Sequence, residues 1–385
     1  MQTQTTLTVL SAALLLSASA ASALEIKSGN DKVQVQLYGE IDRAVMYADD
    51  GYQDKFFHVD NTNSETRIGL NGELSGDNDN LTIGSSLELK WQANPSHAVS
   101  MEEESIAGEF SEELVEVYFD FKNAGKFSIG QGSMASDGAS EIDLSGTDIV
   151  GNSGVADIGG GLTFYDTAGG GYGGESGGTL VGEAFKRQCC DLFNRITSDG
   201  LGKRQRVRYD TPTFAGFSLG AATGAEDTAD LALNYSGEFS GHQLQAIAAW
   251  SNPGKGGDYA QINASASLLL SSGFNFTVGF GFHDMDNLPN DSDDPVFTYG
   301  KIGYKCDQLS SLGSTAISVD YGIYKNGTAL NIEQEATALG VQFVQELSAY
   351  STELFAGYRT FALEDNTNAD YEDISIIMAG ARLSF

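Results

Sequence analysis

Basic residues are scarce: 21 of 385 residues are Lys or Arg against 53 Asp or Glu, a formal charge of −32. Nucleic-acid binding draws on clustered Lys and Arg that release counterions from phosphate, so this balance excludes it. It equally argues against docking on an anionic membrane surface. Cysteine is nearly absent, with Cys189 and Cys190 adjacent and Cys306 far along the chain, a spacing that fits neither a disulfide framework nor a zinc site. Only five prolines occur, which leaves almost every backbone N–H able to join a ladder. After residue 23 no apolar run approaches the roughly 20 residues of a spanning helix, and mean hydropathy is −0.19. Four histidines, His58, His97, His242 and His283, are scattered with no HExxH spacing. No Ser or Cys stands in a recognisable nucleophile setting, so catalysis has no support in the sequence.

What is present begins with an apolar run, Leu7 to Leu16, followed by small residues and Ala21-Ser22-Ala23. That pattern reads as a signal peptide over 1–23, cleaved after Ala23, and too short to anchor in a bilayer. From Val33 onward the chain falls into runs of period-two alternation separated by Gly, Asn, Asp and Ser, with almost no helical periodicity. Sixteen candidate strands follow, from "VQVQLYGEI" through "ELVEVYFDF" to "ISIIMAGARLSF". Their connections alternate between short ones, such as 123–125 and 271–273, and long ones at 48–64, 92–111, 133–200, 285–295 and 326–334.

In "ELVEVYFDF", Val115, Val117, Phe119 and Phe121 alternate with Leu114, Glu116, Tyr118 and Asp120. One apolar face could lie against a second sheet, as in an exported soluble β-sandwich or adhesin. Sixteen strands, an even number, tight turns at one rim, long loops at the other and an export signal instead favour an all-β fold: a 16-stranded antiparallel transmembrane β-barrel over 24–385.

On that reading "KRQRVRYD" places Arg204, Arg206 and Arg208 on the side opposite Val207. Charge facing lipid near the midplane costs about 2–4 kcal/mol per residue, so the three turn inward. Arg67 and Lys90 share the polar parity of their own strands, completing a basic stripe on a water-filled lumen. Arg43 falls on the outward parity, which calls for a bulge, an interfacial position or a subunit contact.

The ordered segments "VQLYGEID", "SETRIGLNGEL", "FKNAGKFSIGQG" and "RVRYDTPTFAGFSLG", with a final strand ending on Phe385, resemble the general bacterial porin family. The resemblance covers both ends and the middle of the mature chain. It implies an outer-membrane channel for passive diffusion of ions and small hydrophilic solutes, a homotrimer, contact with outer-membrane lipid and lipopolysaccharide, and a terminal Phe385 read by the assembly machinery. Leu383 stands where many relatives have an aromatic. The family's third long loop folds into the barrel and narrows the pore. By that resemblance 133–200 does so here, its acids Asp137, Glu141, Asp143 and Asp148 facing the arginine wall. The loop's glycine-rich later part fits equally an extracellular flap.

Opposed charges across narrow water create a transverse field that favours polar solutes. The acidity of the chain implies cation preference, and the arginine ladder pulls the other way. A substrate-selective channel is the alternative within this fold. The expected cofactor set is empty, apart from calcium at acidic loops such as 75–80 and 284–295, neither of which has an EF-hand spacing.

Overall fold

The computed structural model describes residues 24–27, 32–76, 80–172, 200–256, 259–285, 293–326 and 333–385. Residues 1–23, where a signal peptide is expected, lie outside them with Cys189 and Cys190, as do parts of both acidic loops. Sixteen strands run antiparallel: β1 (Val33–Asp49), β2 (in two segments, Asp54–Asp60 and Arg67–Ser75), β3 (Leu81–Gln92), β4 (Glu109–Phe121), β5 (Gly125–Ser133), β6 (Lys203–Asp210), β7 (Phe217–Gly224) and β8 (Ala229–Phe239). They continue with β9 (His242–Asn252), β10 (Tyr259–Leu269), β11 (Phe274–Met285), β12 (Val296–Ser310), β13 (Gly313–Lys325), β14 (Gln334–Leu347), β15 (Thr352–Asp365) and β16 (Ile374–Ser384). Each pairs with its sequence neighbour, and β16 closes on β1 from Glu40↔Ser384 to Asp49↔Ser375. The result is a closed barrel with no free edge.

Alternation sets the two faces. Val115, Val117, Phe274, Phe276, Val278, Val319, Val341 and Phe343 are exposed on the outside, whereas Ser265, Ser267, Asn275, Thr277, Ser318 and Gln342 on the opposite parity are buried inside. A band of large apolar side chains this extensive is stable only against hydrocarbon.

Two expectations are corrected here. The stretch 48–64 is not a long loop: Asp54–Asp60 pairs with β1 over Arg43 to Asp49, and Arg67–Ser75 pairs with its earlier half. Residues 61–66 leave the ladder because polar side chains there capture backbone donors. Asn61 Oδ1 accepts from the Asn63 N–H at 3.2 Å, and Asp60 accepts from both the N–H and the hydroxyl of Thr66. Arg43 sits opposite this break, outward, reaching Asp60 at 3.4 Å and the Ala93 carbonyl at 3.0 Å. The second correction is an addition. Leu24–Lys27 pairs with β1 from Leu37 to Gln34, continuing the ladder where β16 has ended.

Phe385 extends that seam, exchanging two backbone hydrogen bonds with Gly39 at 2.9 and 3.0 Å. Its ring lies over Gly39, where a Cβ would stand 2.7 Å from the ring and 2.8 Å from the Arg67 carbonyl. Such overpacking costs about 1–3 kcal/mol. Gly39→Ala is therefore expected to lower the melting temperature of the detergent-solubilised barrel, read as the shift in mobility between unheated and heated samples. A melting curve identical to wild type would mean that the seam is looser than this contact implies.

Candidate functional site

The basic stripe faces inward, but each cation on it is already engaged. Arg204 Nε donates to the Leu201 carbonyl at 3.1 Å. Arg206, with a side chain 3% exposed, pairs with Glu116 and donates to the Ser133 carbonyl at 3.0 Å. Arg208 pairs with Asp210 at 2.9 Å and donates to the carbonyls of Ser133 and Met134. The ladder thus grips both ends of the connection between β5 and β6. Arg67 meets Glu40 at 3.0 Å and Glu88 at 3.4 Å. Lys90 lies 3.0 Å from Glu65 and 2.8 Å from Glu113. A bulge between Glu88 and Leu89 shifts the register of β3 with β4. Glu113, the extra residue on β4, reaches Lys203 as well, at 2.9 Å.

Tyrosines flatten this part of the wall. Tyr38 lies across Gly69 and donates to Glu88 at 2.7 Å, and Tyr118 lies across Gly84 and donates to Glu73 at 2.7 Å. A Cβ on either glycine would stand within 2.2 Å of the phenol carbon, so only glycine admits the ring.

The described part of the connection, 134–172, has three stretches. The first is polar and follows the inward faces of β8 to β13. Ser136 donates through its N–H and hydroxyl to Asp230. The N–H groups of Ile142 and Leu144 donate to Ser265 and Ser267 at 3.0 and 2.9 Å. Thr147 and Ser318 share a hydrogen bond of 2.6 Å. The second stretch is apolar: Ile149, Val150, Val155, Ile158, Leu162 and Phe164 are buried in one cluster with Met46, Phe57, Phe297, Phe361, Ile376 and Met378 on the inner wall. The third reaches the strand ends. Tyr165 stacks on Tyr52 at 4.4 Å, Tyr172 Oη donates to Asp50 at 2.8 Å, and the Thr167 N–H donates to the Asp370 carbonyl.

The four acids expected to face the arginines are divided among separate places. Asp137 acts electrostatically on Lys203. Glu141 and Asp157 approach one another across Gly154, and burial, then Glu141 and Glu65, holds the Asp157 carboxyl well above the usual carboxylate range. Asp143 does not meet the ladder: it is buried against Lys301 on β12 at 2.6 Å. Burial, reinforced by Asp143, raises the Asp148 carboxyl as well. None of the four forms a direct bridge to Arg204, Arg206 or Arg208 among the described residues.

Sequence reasoning missed Lys301, Arg359, Arg382 and Glu113. Arg359 is bidentate to Asp320 at 3.1 and 2.9 Å, and Arg382 bridges Glu353 and Glu40. The three cations sit on the inward parity of β12, β15 and β16, a signal present in the sequence. Glu113 depends on the bulge and carried none. Cys306 is a free thiol on β12. Among the described residues no group of three or more His, Cys, Asp or Glu side chains is arranged to hold a metal ion.

A family model described as Gram-negative porin matches residues 6–367. No curated protein sequence matches the chain. Among solved structures, an anion-selective porin from Comamonas acidovorans is similar with a TM-score of 0.59 and 14% identity, covering 92% of this chain and 100% of that one. OmpF of Salmonella typhi, in complex with daunomycin, follows at 0.56 and 12%, covering 94% and 100%. In-vitro folded OmpT of Vibrio cholerae in its trimer form gives 0.53 and 15%, covering 92% and 100%. At such identities the likeness is one of fold.

Proposed function

We propose, for a chain that belongs to the Gram-negative porin family and is a multi-pass outer-membrane channel for passive diffusion, that its pore prefers cations. The observation carrying this reading is the balance of charge on the inner face. Arg67, Lys90, Lys203, Arg206, Arg208, Lys301, Arg359 and Arg382 each lie within 4 Å of a carboxylate, Arg204 meets the Leu201 carbonyl, and Asp137, Asp148, Asp157 and Asp230 add further acids. Paired cations exert little field at a distance, and surplus carboxylates concentrate cations in narrow water. Family membership points to a channel rather than an enzyme.

The stretch 134–164, held on the inner wall, is the element that narrows this pore in our reading, with Asp137 and Glu141 towards the Arg67, Lys90 and Lys203 side. A homotrimer in outer-membrane lipid and lipopolysaccharide, assembled through Phe385, is the proposed setting, and the trimer form of the Vibrio protein supports it by analogy of fold.

Reversal potentials in planar bilayers under a KCl gradient test the selectivity. The expected sign is that of a cation-preferring pore, weakened by Glu65→Gln and Glu141→Gln together. Acidification should reduce the preference while the pH is still above the usual carboxylate range, because Asp148 and Asp157 take up protons there. An anion-sided potential at neutral pH would overturn the reading.

A further inference from the structure

We propose that Lys301 is the positioning residue of the constriction, latching residues 143–151 of the long connection onto the inner wall; this rests on the reading that the connection narrows the pore. Lys301 stands on the inward parity of β12 with its side chain 0% exposed. Its ammonium donates to Asp143 at 2.6 Å, Thr147 Oγ1 at 3.2 Å, Ser145 Oγ at 3.4 Å and the Gly151 carbonyl. All four oxygens come from the connection. The other buried wall cations differ: Arg359 pairs with Asp320 on β13 and Arg382 with Glu353 on β15, carboxylates of the barrel itself.

The connection is shaped around this one charge. The Ser145 N–H donates to Asp143 at 2.8 Å, and Ser145 and Thr147 share a hydrogen bond of 2.8 Å. The wall around it contributes hydroxyls, Thr277 to Asp143 at 3.3 Å and Ser318 to Thr147 at 2.6 Å. Asp143 is itself only 3% exposed. Removing one member of a buried pair strands the other charge away from water, whereas replacing both is nearly neutral. Without the ammonium, Asp143 must regain solvent, and the nearest water is the pore. The stretch from 134 to 136 stays pinned by Arg208 and Asp230, and that from 149 to 164 by its apolar cluster. The segment loosened is therefore 137–148, which carries Asp137, Glu141, Asp143 and Asp148 and keeps the hydrogen bonds of Ile142, Leu144 and Thr147 to wall hydroxyls.

Single-channel recordings of Lys301→Met, Lys301→Arg and Lys301→Met with Asp143→Asn test this. Lys301→Met is expected to raise open-channel noise several-fold, add subconductance states and move the reversal potential towards cations, Lys301→Arg to stay near wild type, and the double variant to return towards the quiet record. Wild-type noise and reversal potential in Lys301→Met, or a double variant as noisy as the single one, would overturn the latch. Should Lys301→Met not assemble, Asp143→Asn carries the same test: added noise supports the latch and a wild-type trace overturns it. An unchanged conductance on deleting 137–180 is a separate failure, that of the narrowing reading.

Discussion

Deleting residues 137–180 is expected to raise single-channel conductance several-fold and to lower the thermal stability of the barrel at the same time. Both effects follow from where the segment lies. Its first stretch runs along the inward faces of β10 to β13 through Ser265, Ser267 and Ser318, so its removal enlarges the water column. Its second stretch covers Phe57, Phe297, Phe361 and Met378, all 0–1% exposed. Deletion leaves that apolar surface facing water, at about 25 cal/mol for each Å² uncovered. A barrel that conducts as before would remove 137–180 from the permeation path. A barrel that conducts more yet melts at the wild-type temperature would refute the apolar anchoring.

Replacing Arg204, Arg206 and Arg208 together by glutamine should shift selectivity strongly towards cations. One unit charge acts on an ion about 8 Å away through water with about 0.5 kcal/mol, so removing three changes the local cation concentration by roughly tenfold. Glu116 and Asp210 would lose their partners at the same time. The variant should also show increased current noise, because Arg206 and Arg208 hold the Ser133 and Met134 carbonyls at the start of the connection. Arg204→Gln alone separates the two effects, since its guanidinium contacts only the Leu201 carbonyl among the described hydrogen bonds. A reversal potential unaffected by the triple change would mean that these charges do not act on the permeating ions.

The strands were legible because side-chain direction in a strand is a local property: each residue points opposite to its neighbours, and solvent on one side or lipid on the other fixes which residue types are tolerated. All sixteen candidate strands correspond to strands of the barrel, and the inward turn of Arg204, Arg206 and Arg208 follows from the same parity. Where the local rule breaks, so does the reading. The interruption of β2 at 61–66 arises from side chains capturing backbone donors, and Glu113 turns inward through a bulge that alternation cannot show.

The sequence by itself therefore determined the barrel, its closure and, away from the bulge at Glu113, the side of the wall on which the strand charges stand. Only the tertiary structure decided which charges meet. Asp143 finds Lys301, 158 residues away in the chain, and Arg206 finds Glu116, 90 residues away. Pairing across a closed sheet depends on how a long connection is routed over it, and that route is set by the summed packing of Ile149 to Phe164 and the hydroxyl-lined wall, not by any periodicity along the chain.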